Sequence, residues 1–364
     1  MDRRDFLKSS SVMAAGAVTG TGAAVAAGEA VADHAAADTL ATPAVISSGK
    51  DLVLSAPVAM DDHTLGSSAF RLARRITEAS DGKFRVVVQR TDVGNLESVT
   101  SAEADFALGT ANHNMSYHPA FGVFAGLPLG EHLDAQAFNA WTAVGGGAEL
   151  ADDLGRAFGI KSINIGHTGA SGGLWSERII ERVDDFRGHR VGITGIARNL
   201  VRALGGEPVS LTTAEMTAAF KANALFAAEP TFHPLEPIAH WSFGPGLVPG
   251  GTALTVTMRC SFWSGLAASD RACLEGVFAE ENQRSLAESF ARTALLHTVT
   301  QTRRLPIALG LGAGLVHDLS AVTRDVVSTL AAFDATSQRI VDSHRAFRRL
   351  IAGADATVLP GLSV

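Results

Sequence analysis

Two cysteines, a single tyrosine and no surplus of basic residues set the first limits on this chain. Cys260 and Cys273 form no Cys-x-x-Cys pair, so neither a redox motif nor a cysteine-based zinc site is present. They can join in one disulfide or remain two small core residues, and spacing alone does not decide. The formal charge of −7 excludes a basic nucleic-acid surface, so no nucleic-acid partner is expected. An acidic chain can still hold an anion, because a site needs only local donors. The twelve histidines include no His-Glu-x-x-His arrangement. There is no repeat at a fixed period. The glycines around Gly310–Gly314 lack the spacing and the strand-to-helix setting of a dinucleotide fingerprint. Past the N-terminal segment no apolar run reaches the ~18 residues of a membrane span. What remains is an ordinary globular composition, 46% apolar and 18% charged, long enough for two lobes rather than one.

The N-terminus carries the densest local signal. Arg3 and Arg4 stand just before Phe6, Leu7 and Lys8, and an uncharged stretch of small residues runs from Ser9 to Gly28. This is the pattern of a twin-arginine export signal, an address read by a receptor and not an anchor. Residues 1–32 then form the signal peptide, with small-residue cleavage motifs ending at Ala26 and Ala32. The mature protein is expected in the periplasm. Residues 33–49, rich in Ala, Asp and Thr, read as a disordered lead-in.

The rest follows an α/β grammar. Residues 50–59 read as a strand running into a loop. Leu65, Ala69, Leu72, Ala73 and Ile76 recur at helical spacing, and Ser80-Asp81-Gly82-Lys83 stops that helix. Phe84–Gln89 and residues 104–110 are strands. Helices follow near 134–144 and 146–158, then strands at Lys161–Gly166, Leu174–Ile180 and His189–Ile193. A helix over Asn199–Leu204, a strand over Glu207–Leu211 and a helix over Thr213–Ala222 come next. Thr212 or Thr213 caps the last of these, with Glu215 in its first turn. Ala224–Glu229 and Thr252–Met258 are strands flanking a proline-rich loop from Pro230 to Gly251. From Ser269 to Leu350 the pattern is almost wholly helical.

The order of several short motifs resembles a known family. These are Asp81-Gly82-Lys83-Phe84, Ala104-Asp105-Phe106-Ala107-Leu108-Gly109, Ala125-Gly126-Leu127-Pro128-Leu129-Gly130, Asn139-Ala140-Trp141, His167-Thr168-Gly169, Trp175, Asp185-Phe186-Arg187-Gly188 and Ala227-Ala228-Glu229. From about Leu52 to about Leu350 the chain resembles the extracytoplasmic solute-binding protein of TRAP transporters, in the branch associated with 2-oxo acids and related small carboxylates. The resemblance implies a two-lobed periplasmic-binding-protein-like α/β fold. A cleft between the lobes closes on a small organic solute and presents it to the TRAP membrane permease subunits. It places residues 50–170 mostly in the first lobe with a crossing helix, 171–265 mostly in the second, and 266–364 in helices packed across both. It implies no enzyme activity, and a possible homodimer through the long C-terminal helices.

The site departs from the family pattern. Typical members hold the solute carboxylate with an Arg on the strand after the Asp-x-x-Gly turn, where a guanidinium offers two parallel donors. The corresponding residue here is Gly192. Arg190, two residues earlier on the same strand face but ~7 Å away along the strand, and Arg198, in the following turn, are candidate substitutes. The branch also uses a Gln and a Glu-Trp pair to hold a metal ion at the carboxylate. Here those positions are Ser171, Glu229 and Pro230, and a downstream Trp-His-Glu becomes Leu247-Val248-Pro249. Oxygen ligands for a hard cation thus shrink to Glu229 and backbone carbonyls. No resident cofactor is expected; a divalent or sodium ion at the solute site is the open alternative. Trp175 is retained as an apolar wall. His167, His233, Asn112 and Tyr117 are candidate hydrogen-bonding groups for a ligand held with less charge.

Two other readings stay open at this level. Gly169-Ala170-Ser171-Gly172-Gly173 matches the nucleophile elbow of α/β-hydrolases, with Asp270 and His297 or His344 later in the chain. Its glycines start the required helix poorly. The lost Arg and thinned metal set also fit a binding scaffold whose site has decayed or been turned to sensing or assembly.

Overall fold

A computed structural model describes residues 49–57, 65–91, 95–170, 172–231, 238–303 and 307–358. The export segment and the lead-in lie outside them.

The chain opens with β1 (Lys50–Pro57), helix α1 (Leu65–Ala79), β2 (Phe84–Thr91) and β3 (Phe106–Gly109). Helix α1 forms where the periodicity places it, and Ala69, Leu72, Ala73 and Ile76 point inward. Asp81 and Gly82 both adopt positive φ in the turn that ends it. Helices α2 (Ala135–Val144) and α3 (Gly147–Arg156) lead to β4 (Ile160–His167). Asp134 caps α2 by accepting from the Ala137 amide at 2.7 Å.

The chain then crosses to a second set of elements: β5 (Leu174–Ser176), β6 (Arg190–Gly192), helix α4 (Ala197–Ala203), β7 (Glu207–Val209), helix α5 (Thr213–Lys221), β8 (Ala227–Ala228) and β9 (Trp241–Gly244). It returns through β10 (Ala253–Arg259) to the 36-residue helix α6 (Ala268–Arg303), then β11 (Ile307–Gly310), α7 (Ala313–Ala331) and α8 (Ala335–Val358).

Two sheets result, with orders β2-β1-β3-β10-β4 and β11-β9-β5-β8-β6-β7. In the first, β1 pairs parallel with β2 and β3, and β10 runs antiparallel to β3 and β4. In the second, β8, β6 and β7 are mutually parallel. This is the expected two-lobed α/β fold. β10 completes the first sheet although it lies within 171–265. β11 completes the second although it lies within 266–364. β9 lies inside the stretch expected to be loop, and β11 interrupts the stretch expected to be helical.

The lobes share a core. Phe121, Phe124, Phe138 and Trp141 pack with Val327 and Leu330 of α7, Ile340 and Val341 of α8, and Ile196 from the second lobe. Gly122 is bare at this junction because a Cβ there would lie 2.7 Å from Ile196 Cγ1. Cys260 and Cys273 are free thiols.

Candidate functional site

A cleft of about 690 Å³ lies where the two sheets face each other. It is walled by the residues just past the C-terminal ends of parallel strands, the usual place for a ligand in an α/β sheet. After β1 and β3 come Pro57, Thr110, Asn112, His113 and Ser116. After β6 come Thr194, Gly195, Arg198 and Arg202; after β7, Ser210, Thr212 and Glu215; after β8, Pro230 and Thr231.

The charge in this cleft is simple. Arg198 and Arg202 lie one turn apart on α4, so both present to the same face. Arg198 Nη1 donates to Ser210 Oγ at 3.1 Å, and its Nε is sealed from water with no hydrogen-bond partner among the described residues. Arg202 Nη1 donates to Asn199 Oδ1 at 2.8 Å. The acidic group in the lining, Glu215, is spent on capping α5. It accepts from the Thr212 amide at 2.7 Å and the Thr212 hydroxyl at 2.9 Å. The Thr212 amide holds the Glu215 carboxyl below its usual range, so it stays ionised. The remainder is neutral and rich in hydroxyls; Thr194 and Thr231 meet at 3.1 Å. Among the described residues no aromatic side chain lines the cleft except the His113 imidazole.

The two lobes touch at one edge of this space. Gly195 has φ +64, and a Cβ there would lie 2.6 Å from Asn112 Oδ1. Glycine is required for this conformation and for the approach of the Asn112 amide.

The arrangement puts two guanidinium groups and a set of hydroxyls on the walls of one cleft. The profile of the bacterial extracellular solute-binding proteins, family 7, matches residues 55–297. The chain belongs to that family. A monocarboxylate 2-oxoacid-binding periplasmic protein of Nostoc sp. is 25% identical over 301 residues, covering 77% of this chain and 79% of the relative. A TRAP periplasmic solute-binding protein from Colwellia psychrerythraea, solved with calcium and pyruvate, superposes with TM-score 0.77 at 18% identity, covering 85% of this chain and 97% of that one. A TRAP solute-binding protein from Bordetella bronchiseptica, a mixed-occupancy dimer with calcium and picolinate, gives TM-score 0.74 at 21% identity, covering 84% and 94%.

Of the expected site residues, this solute-binding protein brings Asn112 and Arg198 to the cleft. Ser171 and His233 lie outside the described residues. The others are elsewhere. Arg190 is on the exposed side of β6, where Nη1 donates to the Ala224 carbonyl at 3.3 Å and Nε faces Glu207 at 3.9 Å. Tyr117 is 46% exposed and packs edge-on to Phe158. His167 is buried beneath α6, and its Nδ1 accepts from the Gly169 amide at 3.1 Å.

Trp175 is also buried, on the sheet face under α5 with Met216, Phe220 and Ile238, and does not line the cleft. Gly192 opens onto the same cluster: a Cβ there would come 3.2 Å from Met216 Cε and 3.1 Å from Ala228 Cβ. Met216 thus occupies the space an Arg at position 192 would need. Gly192→Arg is therefore expected to destabilise the fold by about 1–3 kcal/mol through overpacking and to leave carboxylate affinity unimproved. Denaturant melts and calorimetry check both parts. Higher affinity in a stable variant would contradict the packing argument.

Glu229 fits the metal-ligand expectation poorly. It is 4% exposed, and Oε2 accepts from the Leu247 amide at 2.5 Å while Oε1 accepts from the Val248 amide at 3.0 Å. The backbone of Leu247 and Val248 engages both oxygens. Among the described residues no group of three His, Cys, Asp or Glu is placed to hold a metal ion.

The nucleophile-elbow reading also lacks its setting. The strand β5 follows Gly172-Gly173, where the elbow needs a helix. Asp270 is paired with Lys83 at 2.7 Å, and His344 is fully buried against Trp141.

His167 and His344 add a stability signature. Burial lowers both pKa values to about 3, with Arg348 and Arg345 adding to the effect at His344. The unfolded chain protonates near 6.5, so below that pH it takes up protons the folded state refuses. Stability is full above that value and is lost as pH falls towards 3, at about 1.4 kcal/mol per unit for each histidine. Denaturant titrations at pH 7 and pH 5 should show that fall, and His344→Leu should reduce it by the share of one histidine. A flat profile would contradict the burial of both rings as neutral imidazoles.

His113 was missed by sequence reasoning. The available signal was position: it follows β3, where an α/β sheet presents ligand-binding loops.

Proposed function

We propose that this family member is the solute-binding component of a TRAP-type transporter, exported by the twin-arginine route to the periplasm. It carries a small carboxylate in the interlobe cleft. The observation that carries this reading is Arg198, a guanidinium at the cleft wall with one bond to Ser210 and a buried Nε that has no partner among the described residues. A fork of this kind suits a carboxylate, and Arg202 reinforces the field one turn away. The relatives named for 2-oxo acids, pyruvate and picolinate support the chemical class.

In this reading the clamp has moved from strand β6 to helix α4, and the solute is held without a metal ion at Glu229. A thermal-shift screen with small carboxylates, their amides and polyols tests it, since a ligand that binds only the folded state raises the melting temperature. Carboxylates should raise it, equally with calcium or with a chelator. A response to none of them would favour the decayed or repurposed scaffold, and a response only with calcium would restore the metal.

The export reading has its own test. Arg3→Lys with Arg4→Lys should leave the precursor in the cytoplasm, and unchanged export would contradict it. A homodimer is proposed through the distal half of α6, where Phe290 is 81% and Leu295 48% exposed. Light scattering of Phe290→Glu should then report a monomer.

A further inference from the structure

A second cavity, of about 290 Å³, lies at the edge of the first sheet, among β4, α2, α3 and α6. It shares no lining residue with the solute cleft. Its apolar wall is made by Phe121, Phe124 and Phe138, all buried, with Ala111 and Ala151. The sheet supplies a polar contrast. Side chains alternate along a strand, so Ile160, Ser162 and Asn164 of β4 share one face with Ala253, Thr255 and Thr257 of β10, the face towards α2 and α3. A sheet face covered by helices ordinarily carries apolar residues. Ser162 and Thr257 satisfy each other at 2.9 Å. Asn164 and Thr255 stand directly opposite each other where the register of the two strands shifts, an irregularity that re-aims side chains. Asn164 Oδ1 and the Thr255 hydroxyl oxygen are buried with no hydrogen-bond partner among the described residues, and Thr255 as a whole is 6% exposed. From α6, Asn282 donates to Asn139 Oδ1 at 2.5 Å, and its own Oδ1 is buried and unpartnered in the same way. All three residues line the cavity.

We propose that this cavity is a second binding site, which takes a small neutral aromatic molecule carrying an N–H or O–H donor. The oxygens of Asn164, Thr255 and Asn282 can each accept a hydrogen bond, and a buried polar atom without a partner costs free energy that a donor recovers. The three phenyl rings favour a flat ring packed edge-on or offset against them. The charges of the lining leave nothing for an ionised ligand to pair with. Lys161 is held by Asp152 at 2.7 Å, and Glu275 is exposed to water. An apolar cavity of about 150 Å³ holds a benzene, so the larger space here suits a molecule of two fused rings. Water alone satisfies the oxygens but leaves the phenyl faces wet, whereas an aromatic donor answers both walls.

The test titrates indole and benzofuran calorimetrically into the full mature protein. The two have nearly the same shape, and benzofuran carries a ring oxygen where indole has its N–H. Native protein should bind indole with a Kd below about 1 mM and benzofuran about 5-fold more weakly, the ratio that one neutral hydrogen bond supports. Asn164→Leu combined with Thr255→Val should remove that preference. Ala151→Phe, which fills the cavity from α3, should abolish binding of both. Arg198→Ala should bind indole as the native protein does. Melting temperatures report the folding of each variant, and nuclear Overhauser contacts from indole to the rings of Phe121, Phe124 and Phe138 in native protein locate the ligand independently of any variant. Absence of indole binding would mean that water fills the cavity, and would overturn the proposal. Equal affinity for the two probes would overturn it too, as would a preference that survives the Asn164 and Thr255 changes. Loss of indole binding in Arg198→Ala, or no contact to the three phenyl rings, would place indole elsewhere and have the same consequence.

Discussion

Arg198→Ala is expected to weaken binding of a small carboxylate by roughly 10- to 150-fold, with little change in melting temperature. The estimate follows from the ~1.5–3 kcal/mol of a charge-assisted hydrogen bond to a carboxylate. The stability should hold because the guanidinium is at a cleft wall and bonded to a single hydroxyl, that of Ser210. Arg198→Lys keeps the charge but loses the planar fork, and should fall between the two. Arg190→Ala is the control. Its guanidinium bonds the Ala224 carbonyl on the exposed side of β6, so binding should not change. Calorimetry of the three variants checks the ranking, and loss of binding in Arg190→Ala with retention in Arg198→Ala would reverse the assignment.

The second large effect concerns stability. Glu229→Ala should cost about 2–6 kcal/mol, because it takes the acceptor away from the Leu247 and Val248 amides, at about 1–3 kcal/mol for each donor left unsatisfied. Glu229→Gln should cost less, since the amide oxygen still accepts from one N–H while its NH₂ opposes the other. Urea titrations measure both. Because the carboxylate is engaged with the chain itself, added calcium should not rescue either variant, and it should not stabilise the native protein through this residue. A native protein stabilised by calcium, with the effect lost in Glu229→Gln, would show that the carboxylate does coordinate an ion.

Much of the architecture was readable from residue pattern. Helix α1 follows from the spacing of Ala69, Leu72, Ala73 and Ile76, and its end follows from Asp81-Gly82. The capping box at Thr212 and Glu215 was legible from a hydroxyl three residues ahead of an acid. Strands β9 and β11 were not. Each spans four residues, and they pair with each other in parallel across more than sixty residues of chain. The transfer of β10 to the first sheet has the same cause: strand pairing is a long-range choice that local propensity does not encode.

The site divides in a similar way. Arg198 was readable as a candidate substitute for an Arg at Gly192, and Asn112 as a neutral hydrogen-bonding group. The loss of an Arg at Gly192 was readable from the family pattern. What fills the space, Met216 from α5, was not. Nor was the engagement of Glu229, since the donors are main-chain amides and any residue but proline at 247 and 248 supplies them. Trp175 was read as a cleft wall from the family resemblance, yet the register of β5 against β8 and β9 turns it into the cluster under α5.

The central claim is that the solute carboxylate is held in the interlobe cleft by Arg198 and not by an ion at Glu229. A crystal structure of the native protein with a bound carboxylate, grown with calcium present, tests it most directly. The account predicts the carboxylate within hydrogen-bonding distance of the Arg198 guanidinium, the lobes closed over it, and Glu229 still bonded to the Leu247 and Val248 amides. A carboxylate beside Trp175, bridged to Glu229 by a calcium ion, would contradict it.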